Sequence, residues 1–164
     1  MRNVVLARVD DRLIHGEVVS VWTPTLSANA ILVVDDEVAK DDFNKRVIKS
    51  LAPEGVKVFV ASVKGAIKGL LKDPVPGERV IVLAKSPVTF ARIVDAGVPL
   101  KEVNLGGMGL RGERKTFIKN VAASPAEVEA IREMRGKGVH VFYQLVPEQA
   151  VIEVDEALER AEKE

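Results

Sequence analysis

Short apolar runs alternate with longer, mixed segments along the whole chain. "NVVLARV" (3–9), "AILVVDD" (30–36), "VKVFVAS" (56–62), "RVIVLAKS" (79–86), "EVNLGG" (102–107) and "VHVFYQLV" (139–146) are rich in β-branched residues and have the length of strands. The first four are nearly continuous in apolar side chains, as expected of strands covered on both faces by crossover helices. The segments between them carry helix signals. "EVVSVW" (17–22) reads as a helix that stops near Pro24, because the residue before a proline avoids the helical region. "KDDFNKRVIKSLA" (40–52) is amphipathic and ends at "PEG", and "SVKGAIKGLLK" (62–72) is a weaker helix, diluted by glycine. "SPVTFARIVDAG" (86–97) opens on a Ser86 cap with Pro87 in the first turn and closes at Gly97. "SPAEVEAIREMRGKG" (124–138) repeats that design from Ser124.

Such alternation predicts an α/β fold: a single open, doubly wound, mostly parallel sheet of about six or seven strands with helices on both faces, residues 1–164 forming one domain. "GGMGLRGERKTFIKNVAA" (106–123) breaks the rhythm and is expected to be a loop with a short hairpin or an added strand. "VDEALERAEKE" (154–164) reads as a charged, peripheral C-terminal helix.

Composition narrows the function classes. Lys plus Arg and Asp plus Glu number 24 each, so the net charge is zero, against the basic surplus of a general nucleic-acid binder. The absence of cysteine removes disulfides, thiolate metal sites and cysteine nucleophiles, and fits a reducing cytoplasm. No apolar run approaches the roughly 18 residues that span a bilayer, and "MRNVVLARVDD" does not resemble a signal peptide. The expectation is a cytoplasmic protein that does not itself span the membrane.

In open α/β sheets ligands bind beyond the carboxyl ends of the strands. Asp10 to His15 follow the first strand, Asp35 and Asp36 the second, Ser62 the third, Lys85 and Ser86 the fourth, and Gly106 and Gly107 the fifth. His15 carries the sharpest signal. It precedes a helix whose unpaired N–H groups and positive dipole end suit an anion, and Arg12 adds a planar donor fork matched to phosphate oxygens. An imidazole titrates near pH 6.5, so the neutral, nucleophilic form is available in a cell. A structural histidine in a polar loop fits the same spacing equally well. His140 reads as an ordinary strand residue, Trp22 as core, and Asp35-Asp36-Glu37 as a helix-capping turn in preference to a magnesium cluster. "RGERK" (111–115) reads as a solvated loop that could also meet an acidic partner or close over a phosphate.

"RVDDRLIHGEVVSVW" (8–22) resembles the active-site segment of the enzyme IIB component of the bacterial phosphoenolpyruvate-dependent sugar phosphotransferase system (PTS), in the mannose/fructose/sorbose family. "ILVVDDEVAKDDF" (31–43), "LAPEGVKVFV" (51–60), "GERVIVLAKSP" (77–87) and "GVPLKEVNLGGM" (97–108) resemble that family in the same order. The resemblance implies that His15 accepts a phosphoryl group on Nδ1 from the phosphohistidine of a IIA partner. The group then passes to a sugar brought in by the membrane components IIC and IID. It implies no metal or organic cofactor, and a peripheral association with the transporter. Asp10 and Arg12 fall on motif positions associated with the phosphate, as does Gly16 beside the histidine; Arg8 and Asp11 match without a firm role. Ser86, closing the fourth strand, is a candidate hydroxyl partner. Many relatives carry glutamine where this chain has Glu17, whose carboxylate is expected to face outward or to contact a basic partner. The site should be shallow, since two large partners must reach it in turn. Two other readings are a phosphatase or mutase with a phosphohistidine intermediate, and a non-catalytic regulator whose histidine signals sugar supply.

Overall fold

A computed structural model describes residues Met1–Glu164. The sheet has seven strands in the order β3-β2-β4-β1-β5-β8-β9. These are β1 (Val4–Val9), β2 (Ala30–Val34), β3 (Lys57–Ala61), β4 (Val80–Ala84), β5 (Glu102–Leu105), β8 (His140–Tyr143) and β9 (Ile152–Glu153). Every pairing is parallel except the last, where β9 runs antiparallel to β8. β1 is central, with β4 on one side and β5 on the other. The chain winds first to one side of β1 and then to the other, so the crevice beyond Val9 is the switch point where a ligand site belongs.

The apolar runs are continuous because both faces are covered, and residue parity divides them. In β4, Val80, Val82 and Ala84 join a core cluster beneath helices α4 (Val63–Leu70), α5 (Pro87–Asp95) and α6 (Pro125–Gly136). Ile81 and Leu83 of the same strand point to the opposite cluster, with Leu13, Ile14, Val18 and Trp22. That second cluster lies under α1 (residues 16–25) and takes Val38 from α2 (Asp36–Ala39) and half-buried Ile48 from α3 (Asp42–Ser50).

The predicted caps at Ser86, Ser124 and Asp35 take their places, and Ser62, read only as a strand end, caps α4 as well. Ser62, Ser86 and Ser124 accept from the amides of Gly65, Val88 and Glu127, and Asp35 accepts from Val38. Helix α1 runs through Pro24 to Thr25. It does so because Val18–Trp22 form a π-turn, in which the Thr23 N–H reaches back to the Val18 carbonyl. The wider turn relieves the clash and missing donor that a proline imposes on an α-helix.

The 106–123 segment contains an antiparallel hairpin, β6 (Lys115–Ile118) and β7 (Val121–Ala123), forming its own two-stranded sheet. The tail is better anchored than its charge suggests. α7 (Asp155–Glu162) buries Ala157 just after buried Val154, and Arg160 Nη2 donates to the Phe117 carbonyl of the hairpin at 3.0 Å.

His140 has more company than a routine strand residue. Its Nδ1 lies 3.1 Å from Glu102 and its Nε2 2.7 Å from Glu153, so the ring bridges β5, β8 and β9. Burial pulls its pKa down, but hydrogen bonds and charge from the two glutamates outweigh that, and the pKa stands above the usual imidazole value. The stabilisation is therefore fully present below about pH 6.5, the unfolded value, and is lost as pH rises through the higher folded one. With the ring 41% exposed, the effect is screened and stays under about 1 kcal/mol. His140→Gln is expected to unfold at lower urea than the parent at pH 6, with the gap closing in urea titrations at progressively higher pH.

Candidate functional site

The segment after β1 turns sharply back over the carboxyl end of the sheet. Asp10 is fully buried, and its Oδ1 accepts from the Arg12 backbone N–H at 3.0 Å, forming a side-chain-closed turn. Leu13 follows at φ 58°, a left-handed conformation that costs a branched residue about 1–2 kcal/mol. Burying the Leu13 and Ile14 side chains, worth about 1.5–3 kcal/mol each, offsets that cost and forces His15 up to the rim. The His15 carbonyl accepts the first turn of α1 from Val19 N–H at 3.0 Å, so His15 is the cap residue of that helix. The amides of Gly16 and Glu17 open the helix without a carbonyl partner.

Asp10 is the hub. Its Oδ1 also accepts from Arg12 Nε at 3.2 Å. Its Oδ2 lies 3.3 Å from Arg8 Nη2, 3.4 Å from Arg12 Nη2, 3.2 Å from Gly107 N and 3.0 Å from His15 Nε2. Burial pushes the Asp10 carboxyl up; the Arg12 guanidinium and amide, then the His15 ring and Arg8, outweigh it and hold the carboxyl below its usual range. An ionised carboxylate only accepts, so Nε2 is the protonated nitrogen of His15, and in the neutral ring Nδ1 holds the lone pair. No protein group bonds to Nδ1.

Arg8 lies beneath the site, not in it. Its guanidinium has no solvent exposure, donates to Asn104 Oδ1 at 2.6 Å and to the Gln144 carbonyl at 3.1 Å, and stacks 5.3 Å from the Trp22 ring centroid. Burial lowers its pKa against the pull of Asp10, and a guanidinium nonetheless keeps its charge. Two adjacent glycines make room for this buried pair. A Cβ on Gly106 would stand 2.4 Å from the Arg8 guanidinium carbon, and one on Gly107 would stand 3.0 Å from Asp10 Oδ1.

The remaining sequence candidates fall as follows. Arg12 is half exposed, with Nη1 free of protein partners. Gly16 is exposed, with nothing within 4 Å of where a Cβ would stand. The His15 ring is only 12% exposed, more covered than a shallow docking site suggests, because it lies down against Asp10. Ser86 does not have a spare hydroxyl: its Oγ accepts from Val88 N–H and donates to Glu127 Oε2 at 2.8 Å. Glu17 is only partly turned outward: its side chain is about a third exposed, while its Oε2 is buried without a hydrogen bond, 3.9 Å from Arg12 Nη2 of the same chain. Asp35 caps α2, and Asp36 Oδ1 accepts from Val63 N–H at 2.8 Å.

The sequence reading missed Asn104, Arg114 and Glu127, and placed Gly107 at the rim without a role. Asn104 had a signal, being a polar residue inside an apolar strand, as Arg8 is in β1. Arg114, in a stretch read as a solvated loop, is 10% exposed and bridges Asp11 to Glu127, both at 2.9 Å or less.

A doubly wound parallel sheet with a histidine at its switch point, one ring nitrogen anchored and the other unbonded, and a half-exposed guanidinium on the same carboxylate, suits a phosphoryl carrier. The family described as "PTS system sorbose subfamily IIB component" matches residues 4–164, and the chain belongs to it. A fructose-specific EIIB component of Bacillus subtilis is 35% identical over 92% of each chain. The mannose-specific EIIAB component of Escherichia coli is 38% identical over 83% of this chain and 42% of its own. The crystal structure of the IIBSor domain of the sorbose permease from Klebsiella pneumoniae superposes with a TM-score of 0.88 and 30% identity, over 96% of this chain and 97% of that one. The chain is thus a sugar phosphotransferase component that works with other PTS components, a reading the family supports over a phosphatase, a mutase or a non-catalytic regulator. No helix is long and apolar enough to cross a membrane.

Gly106→Ala is expected to cost about 1–3 kcal/mol in urea unfolding, since the buried Arg8 cannot swing clear of the added methyl. The same substitution at Gly16, where space is open, should cost less than about 0.5 kcal/mol.

Proposed function

We propose that His15 is the phosphoryl carrier of this PTS component, with Nδ1 as the accepting atom and a IIA protein as donor. Residues 1–164 act as one IIB domain in the cytoplasm, docking peripherally on the membrane components IIC and IID, where a sugar hydroxyl takes the group. The observation that carries this reading is the 3.0 Å contact between His15 Nε2 and Asp10, which leaves Nδ1 unbonded at the amino end of α1.

The Nδ1 lone pair attacks phosphorus in line, and the P–N bond to the donor's histidine breaks, returning its electron pair to the donor ring. His15 keeps its Nε2 proton, so positive charge grows on its imidazole as the new bond forms. Asp10, ionised and within hydrogen-bond reach of that proton, stabilises the charge where it develops. Arg12 Nη1 and the Gly16 and Glu17 amides face the incoming oxygens. Charge-assisted bonds from the guanidinium, about 1.5–3 kcal/mol each, outweigh the helix dipole at about 0.3–1 kcal/mol. In the second step a sugar hydroxyl attacks phosphorus, its proton is released, the P–N bond of His15 breaks and Nδ1 regains its lone pair. Phosphoryl transfer of this kind depends on positioning and charge stabilisation more than on covalent assistance from the protein. No step calls for a metal or organic cofactor.

Phosphoenolpyruvate, the general phosphotransfer proteins and the cognate IIA should place acid-labile phosphate on the chain and none on His15→Ala; label retained by that variant defeats the assignment. Arg12→Ala should fold normally by circular dichroism and accept phosphate about 10–100-fold more slowly in rapid-quench assays. A wild-type rate would take Arg12 out of the mechanism.

A further inference from the structure

Asp11, next to the hub, faces sideways into a second ionic cluster that the relay chemistry does not use. Its Oδ2 accepts from Gly109 N–H at 2.7 Å and from Arg111 Nη2 at 3.1 Å, and both oxygens lie 2.9 Å from Arg114 Nη1. Arg114 spends nearly all its donors here. Nε and Nη2 grip Glu127 at 2.8 and 3.0 Å, Nη1 also meets the Gly109 carbonyl at 3.1 Å, and Nη2 meets the Lys85 carbonyl at 3.3 Å. Glu127 closes the capping box of α6 through the Ser124 amide at 3.1 Å and receives the Ser86 hydroxyl that caps α5. Burial raises the Glu127 carboxyl, and Arg114, with the Ser124 amide and Ser86, more than reverses it, so the group stays ionised. One guanidinium thereby ties the loop carrying His15 to the amino ends of two helices and to the 106–114 loop.

We propose that Arg114, acting with Glu127, is a positioning residue for His15. The inference rests on His15 being the phosphoryl carrier. Between Val9 and α1 the loop is held from below through Asp10 and from the side through Asp11, and it contains a left-handed leucine. Free the side anchor, and the loop can relax that residue by shifting Asp11 and, with it, the Asp10–His15 contact. Arg114 makes no hydrogen bond to the ring and has its donors committed to Asp11, Glu127 and two carbonyls, so its loss changes where Nδ1 points and leaves donor affinity alone. A misplacement of about 1 Å is enough to slow transfer about 100-fold.

The test compares the full chain with Arg114→Lys, which keeps the charge and loses the fork, and with Glu127→Gln, which keeps the shape and loses the charge. Single-turnover transfer from phosphorylated IIA should fall about tenfold or more in maximal rate, with half-saturation by donor unchanged within about twofold. Nitrogen-15 spectra of the His15 ring should change from one fixed Nε2–H tautomer in the parent to an averaged pair in both variants. Asp95→Asn, which removes the exposed contact to Lys137, should change neither readout. Circular dichroism identifies which variants fold, and either one alone suffices. Parent-like maximal rates overturn the proposal, as does a slower rate with unchanged ring signals, which would place Arg114 in donor docking. If the parent chain takes no phosphate on His15, the carrier reading fails, and the ring spectra still decide whether Arg114 orients the imidazole.

Discussion

Asp10 has no contact with solvent, and neither does the Arg8 guanidinium 3.3 Å away. Taking two such charges out of water costs several kcal/mol per ion, and the attraction repays that only when the remaining lone pairs and protons are also bonded. Most of the local architecture supplies those bonds. Asn104 and the Gln144 carbonyl serve Arg8; the Arg12 amide and the Gly107 amide serve Asp10. Three strands, β1, β5 and β8, therefore converge on one ion pair at the switch point of the sheet. Arg8 Nε alone is left without a partner, and the Arg12 guanidinium and the edge of the His15 ring are the parts of the cluster open to solvent.

The requirement passes outward to the backbone. A guanidinium under the rim leaves no room for a side chain at Gly106, and a carboxylate beside it leaves little at Gly107. The sharp return from Asp10 to the helix places Leu13 in the left-handed region, and the apolar cluster under α1 holds it there. Trp22 closes the arrangement: its indole N–H donates to the Leu145 carbonyl at 3.0 Å while its ring lies against Arg8. The π-turn lets α1 carry that tryptophan and still continue past a proline. The glycine pair, the side-chain-closed turn at Asp10 and the placement of Trp22 thus all bear on the same two buried charges.

Much of this was legible in the amino-acid order. The period-two division of "VIVLA" between two cores, the serine caps and the glycine stops are local consequences of side-chain chemistry, and the six principal strands lie where the apolar runs place them. The position of His15 before a helix was legible for the same reason. What could not be read were pairings between residues far apart in sequence. Arg114 and Asp11 are 103 positions apart, and Arg8 and Gln144 are 136 apart. A charged stretch such as "RGERK" looks the same whether it is hydrated or folded onto a carboxylate. Ser86 shows the converse error: its place at a strand end was correct, but its hydroxyl was already engaged by a glutamate from another helix.

The contact between Asp10 and the far nitrogen of His15 would also set the regiochemistry of the proposed transfer. An imidazole free in water can be phosphorylated at either nitrogen, and the two isomers differ in hydrolytic lifetime. Here the tautomer with its proton on Nδ1 would set the Nε2 lone pair against an anion with no exit to water, so the proposed relay would use the Nδ1 isomer alone. In that proposal a buried carboxylate selects, by electrostatic exclusion, which of two otherwise similar atoms would bear the transferred group.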